Sequence, residues 1–365
     1  MSFSHGSVSF RMVYVPQELP ADFLDRFQRD SAPPLAQVIE SSVGWVGGRH
    51  VLDVPITEEN STFAGYLGLL LRKSERKVPA NRLKAECIIE EQAEMKATGK
   101  LFVDRKTRGE IRKATVARLL PTMEPTLTGL SFVYESRSRL LYITATSDNQ
   151  LDAFRVNWLK TLGLDCIPVT AETAAVSRLQ KSTNDWAKVS FADGVDAEEL
   201  ENTPGMDFMT WLWFRSEAGG GLFKVGDLGE FGLALEGPLL LEHAGQGAHE
   251  TALRKGLPTV SDEAKSALLT GKKLRRAKVM LARADEVWHF GFDAATFTVR
   301  GMKLPESKEL LDPASRFSER MTKLAVWRDV MLGIYDQFVT VRTSPDWGAT
   351  VAEMQQWVTD RTARK

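Results

Sequence analysis

Cysteine, histidine and unbroken hydrophobic length are all scarce in this chain, and each scarcity removes a class of function. Only Cys87 and Cys166 occur among 365 residues, in separate segments without the spacing of a metal site. They are expected to be reduced, buried, small apolar side chains of a cytosolic protein. The five histidines (His5, His50, His243, His249 and His289) form no His-Glu-x-x-His pair and have no cysteine partner at ligand spacing. No apolar run approaches the ~20 residues of a membrane span. The opening segment, Met1 to Val15, has no charged region followed by an apolar core, so no signal peptide is expected. Thr270-Gly271-Lys272 resembles part of a phosphate loop, but Ser266 stands where the upstream glycine belongs, and no Ser or Thr follows the lysine. No cofactor is implied.

Net charge is scarce too, at −1, yet it is unevenly spread. From Arg72 to Pro121 there are fourteen basic residues against seven acidic ones. Pro79 suits a first helical turn, and Leu83, Cys87, Ile88, Glu91 and Met95 follow at helical spacing. Gly99 breaks the pattern, Asp104 can cap a second helix, and Pro121 stops it. In that second helix Ile111, Thr115 and Leu119 share one side, while Arg105, Arg108 and Arg112 share another. The spacing predicts two antiparallel helices, a hairpin protruding from a sheet domain. Such a charged pair is equally compatible with an ordinary solvated surface.

A prior of about one domain per ~150 residues predicts two domains. Residues 1–170 read as an α+β unit with the hairpin inserted at about 73–124. Its strands are expected at Ser7–Val15, Phe63–Leu71, Leu130–Tyr134, Leu140–Ala145 and Asp165–Val169. Gly44-Trp45-Val46-Gly47-Gly48 reads as a tight aromatic turn. A helix over Asn149–Leu162 would bury Leu151, Phe154, Trp158 and Leu162. Residues 171–365 read as a second α+β domain ending in long helices. Met206 to Phe214 is dense in aromatics and reads as core. Phe231–Leu235 and Leu239–Glu242 read as two strands paired through Gly237-Pro238. A helix opens at Ser261, and long helices begin at Asp312 and after Pro345. The fold class is therefore two mixed domains with antiparallel strands and a helical hairpin.

A second basic cluster lies at the helix-to-strand junction after Gly271. Lys272, Lys273, Arg275, Arg276 and Lys278 put five cations into seven residues, preceded by Arg254 and Lys255. They have few acidic neighbours in sequence and cannot all be buried. Two basic surfaces on a near-neutral chain predict a lined concavity for a polyanion, the alternative being a solvated strand end.

The order of these pieces resembles the recombination-associated protein RdgC family. The resemblance rests on Gly44-Trp45-Val46, Lys77-Val78-Pro79, Leu119-Leu120-Pro121, the Leu140–Ala145 strand and Cys166-Ile167-Pro168-Val169. Downstream it continues through Phe208-Met209-Thr210-Trp211-Leu212-Trp213, Glu236-Gly237-Pro238 and Gly271-Lys272-Lys273-Leu274, covering the chain to about Phe338. It implies a non-enzymatic, sequence-independent binder of double-stranded DNA. Such proteins form a homodimeric ring around the duplex that limits access of the RecA recombinase, in the cytoplasm at the nucleoid. By that resemblance the DNA-binding residues are Arg254, Lys255, Lys272, Lys273, Arg275 and Arg276, with Arg76, Lys77 and Arg82 at the hairpin. Leu120, Pro121 and Met123 would make the dimer contact at the tip. Shorter members of the family carry an aromatic residue just after the Leu-Leu-Pro motif to lock the tip contact, where Met123 and Glu124 stand here. Two other classes remain open: a metal-dependent nuclease acting on recombination intermediates, and a module that binds the recombinase directly.

Overall fold

Residues 8 to 14 alternate between two buried faces, and the rest of the chain is built on both. The computed structural model describes residues 3–245, 249–306 and 311–360. The chain begins with β1 (Val8–Tyr14), α1 (Phe23–Arg29), β2 (Ser41–Gly47), the single-turn α2 (Glu58–Ser61), β3 (Thr62–Phe63) and β4 (Tyr66–Glu75). Two longer helices, α3 (Ala80–Thr98) and α4 (Arg105–Leu119), precede β5 (Thr126–Glu135), β6 (Leu140–Ile143), α5 (Asp148–Leu162) and β7 (Ile167–Pro168). Then come α6 (Ala171–Leu179), α7 (Pro204–Ala218), β8 (Leu222–Val225), β9 (Gly229–Glu242), β10 (Glu250–Leu253) and α8 (Asp262–Leu269). The meander β11 (Lys273–Arg283), β12 (Glu286–Asp293) and β13 (Thr298–Lys303) leads into α9 (Pro313–Arg342) and α10 (Trp347–Asp360).

The fold is mixed α/β around one large antiparallel sheet. Its order is β10-β9-β11-β12-β13-β1-β6-β5-β4-β2, with β3 on β4, β7 on β1 and β8 on β9. β1 is the joint. Phe10 pairs with Val299 of β13, whereas Arg11 to Tyr14 pair with Ile143 to Leu140 of β6. Arg11 locks this joint from a buried position, donating to Thr298 Oγ1 at 2.7 Å and to Asp148 Oδ1 at 2.6 Å. The position near residue 170 lies between β7 and α6.

Two cores follow from the two faces. Val13 and Val15 join Phe27, Trp45, Phe132, Phe154 and Trp158 beneath α1 and α5. These rings meet mostly edge to face, with centroids 5.0 to 6.2 Å apart, the arrangement that the ring quadrupole favours. Val8, Phe10 and Met12 face the larger core, built on α7 and α9. In α7 every residue from Pro204 to Phe214 is buried, including Asp207 and Thr210, which have polar partners on β11. Arg328 of α9 ties this core to the β5–β6 turn through Glu135 and the Tyr142 hydroxyl. No helix among the described residues is long and apolar enough to cross a membrane.

Several expectations are corrected here. Gly44 to Gly47 belong to β2 rather than to a turn. Glycine is needed there because the chain passes closely: a Cβ on Gly44 would sit 2.5 Å from the Ala32 backbone. Phe231–Leu235 and Leu239–Glu242 are parts of one strand, β9, which pairs with β11 on both sides of Gly237-Pro238. β11 shifts register between Leu274 and Arg276 and again between Arg276 and Lys278; such bulges let a ladder continue past an irregular step. Arg72 and Lys73 belong to β4. Arg72 is buried, with its guanidinium donating to the carbonyls of Pro33 and Val51.

Both cysteines are free and buried, and burial pushes the Cys166 thiol up to about 12. Its folded pKa is therefore raised, so the stability it contributes is intact below the ordinary thiol value and is lost as pH rises through about 12. A maleimide at pH 8 is expected to leave Cys166 unlabelled in the native protein and to label it in denaturant. Rapid labelling of the folded chain at Cys166 would contradict this burial.

Candidate nucleic-acid interface

β11, β12 and β13 alternate in the manner of a half-covered antiparallel sheet. Ala277, Val279, Leu281, Trp288, Phe290, Phe292, Val299 and Met302 are buried in the larger core. The residues between them face outward, and several of them are cationic. Lys278, His289, Arg300 and Lys303 are exposed, and Arg276 is partly so. The register places them side by side: Lys278 and Arg300 both lie opposite Gly291, and Lys303 lies opposite His289. With no side chain at Gly291, the centre of this face is low. The result is a groove of about 530 Å³ lined by Arg276, Lys278, His289, Arg300, Lys303 and, on the β9 side, Glu236.

Charge in the groove is only partly neutralised. Arg276 pairs with Asp293, which is itself buried. Arg300 donates to the Thr146 carbonyl at 3.2 Å. Lys278 and Lys303 make no ion pair among the described residues, so two ammonium groups stand free in a concave surface. Glu236, opposite Lys278 in the register, is the one acid lining the groove among the described residues, so cations remain in excess there, and a concave surface with such an excess attracts a polyanion.

Of the cations singled out in the sequence, this surface takes in Arg276 and Lys278 and places others nearby or elsewhere. Arg254 and Lys255 are exposed in the loop after β10. Pro258, at the end of that loop, packs on Gly237 so closely that a Cβ there would lie 2.5 Å from its Cγ. The loop is thereby anchored on the Pro238 side of the groove. Lys272 is half-buried and donates to Thr251 Oγ1 at 2.6 Å, fastening the start of β11 to β10. Arg275 points away from the groove to Glu242 at 2.5 Å and Asp293 at 3.5 Å. Burial opposes its charge, but the two carboxylates outweigh that and hold its pKa above the ordinary value.

Lys273 is corrected outright. It is 1% exposed, with its ammonium 2.5 Å from Asp207 of α7 and 3.1 Å from Thr203 Oγ1. It lies beneath α7 at the buried start of β11, where it faces the Phe191 ring. It has no surface to offer DNA. Three cations of the cluster that looked poorly paired in sequence, Lys273, Arg275 and Arg276, are in fact paired by acids of other elements, namely Asp207, Glu242 and Asp293.

The residues around α3 and α4 separate similarly. The helices run antiparallel, joined by Arg118 to Glu86 and Glu90 and by Arg108 to Glu91 at 3.0 to 3.2 Å. Asp104 caps α4 by accepting from the Lys106 and Thr107 amides. Lys77 and Arg82 are exposed, Arg82 lying 4.0 Å from Glu86. Arg76 instead closes the base of the pair, donating to the carbonyls of Val38, Pro121 and Met123. Met123 is buried with Val78, Leu83, Cys87 and Leu119, and Leu120 packs against them. Leu120, Pro121 and Met123, expected at the tip, lie instead at the base of the pair between α4 and β5, and of the three only Pro121 is exposed.

Neither a family model nor a curated protein matches this chain. Among the described residues no group of three or more His, Cys, Asp or Glu side chains could hold a metal ion, so a nuclease reading gains no site from them.

Arg300 and Lys303 are the groove residues that sequence reasoning missed. Three apart, they should fall on opposite faces of a regular strand. A bulge between the His289–Lys303 and Gly291–Arg300 pairs brings both to the open face.

Proposed function

We propose that this chain binds duplex DNA without reading its sequence, through phosphate contacts made by the cationic open face of β11–β13. The observation that carries the reading is the pair of free ammonium groups, Lys278 and Lys303, beside Arg300 and Arg276 in one groove. Lysine and arginine on a regular strand face present charge without the fixed donor–acceptor pattern that base recognition needs. Arg254 and Lys255 extend the cationic rim on the Pro238 side.

The resemblance to the RdgC family gives this binding its assembly. In that reading the chain is one half of a homodimeric ring around the duplex, and occupancy of DNA by the ring limits RecA access. The α3–α4 pair is then the protruding helical hairpin of the family, and Lys77 and Arg82 add to the charge of the hole. Leu120, Pro121 and Met123 sit at the base of that hairpin, with Met123 and most of Leu120 turned into the pair's own core, so of the three only Pro121 leaves surface for a partner copy. A ring has a topological consequence. After a high-salt wash, the protein is expected to stay on closed circular DNA and to slide off linear DNA of the same length. Equal loss from both would remove the ring and leave a simple surface binder.

A further inference from the structure

The loop joining α3 to α4 exposes two large apolar side chains side by side, Leu101 at 96% and Phe102 at 73%. Single exposed apolar residues are ordinary, but an adjacent pair held out at a helix-to-helix loop needs an account. The loop is fixed rather than free. Gly99 ends α3 in the left-handed conformation at φ 68°, Val103 is buried, and Asp104 caps α4. With Val103 turned in and the cap made, Leu101 and Phe102 are presented outward by the backbone itself.

Their neighbours are cations. Lys96, Lys100, Arg105 and Lys106 are all exposed and make no ion pair among the described residues. From residue 94 to 106 they face only Glu94 and Asp104, and Asp104 is engaged in the cap. A second copy docked here would bring the same positive charge against it. A lipid surface would take the charge, yet two side chains supply little apolar area for stable insertion. A duplex takes both features at once: phosphates flank every base step, and an apolar wedge between cations is a recurrent way of unstacking one.

We propose that Leu101 and Phe102 insert between base pairs of the bound duplex while Lys96, Lys100, Arg105 and Lys106 hold the flanking phosphates. This rests on the DNA-binding reading above and adds deformation of the duplex to it. α3 is about 28 Å long at 1.5 Å per residue, so its loop can reach DNA well away from its base. Insertion partly unstacks a step and kinks the helix by roughly 20–90°.

The test uses the full chain on nicked circular plasmid, ligated in the presence of increasing protein and then deproteinised. The wild type is expected to shift the topoisomer distribution in proportion to bound protein. Leu101→Ser with Phe102→Ser is expected to bind duplex with the same salt dependence and to produce no shift, whereas Phe102→Trp restores it. Wild-type binding without any topoisomer shift overturns the wedge and leaves the DNA-binding reading standing. A shift that survives in the double serine variant overturns it as well, as does a variant that loses only vesicle binding or self-association. Failure of the wild type to bind duplex at low salt removes both readings together.

Discussion

Replacing both Lys278 and Lys303 with glutamate is expected to weaken binding to every duplex sequence by on the order of a hundredfold at moderate salt. The salt slope should fall by about one for each phosphate no longer neutralised. Both side chains are exposed on the open sheet face and make no ion pair among the described residues, so their reversal breaks nothing inside the fold. The buried alternation beneath them, Ala277, Val279, Phe290 and Met302, is untouched. Circular dichroism and thermal melting should therefore match the wild type while anisotropy with labelled DNA does not. A variant with unchanged affinity and slope would remove the groove from the interface.

The opposite pattern is expected at Lys273. Replacing it with alanine leaves the Asp207 carboxylate buried without its partner, at a cost of about 3–5 kcal/mol. Asp207→Ala should cost a similar amount, since it strands the ammonium instead. Replacing both by apolar residues of like volume should recover most of that stability, because a buried pair often does little better than a packed hydrophobic contact. Urea titration of the two single variants and the double decides it. Any weakening of DNA binding in the single variants should track unfolding. A stable, well-folded Lys273→Ala chain that binds DNA more weakly would return this residue to the interface.

What was legible in the sequence was periodicity and chain-end chemistry. Leu151, Phe154, Trp158 and Leu162 are all buried in α5, and the Asp104 and Ser261 caps stand where those residue types are expected. The long helix expected to begin at Asp312 is α9, capped by Asp312 and burying Phe317, Met321, Leu324, Met331, Tyr335 and Phe338. What was not legible depends on pairing across the chain. Lys273, Arg275 and Arg276 look free beside one another, but Asp207, Glu242 and Asp293 reach them from other elements. Glycine at position 44 signals flexibility locally, and only the packed Ala32 backbone shows that it serves a close approach. The groove itself depends on a bulge in the β12–β13 register, which no count along β13 reveals. The exposure of Leu101 and Phe102 is a further case, since it follows from the buried Val103 and the Asp104 cap beside them.

The most direct measurement is anisotropy of fluorescent duplex DNA with the full chain, from low to physiological salt, using two unrelated sequences. Log affinity is expected to fall linearly and steeply with log salt, with the same line for both sequences. Absence of binding at low salt, or an affinity that ignores salt, would contradict it and leave the cationic face of β11–β13 as a solvated surface.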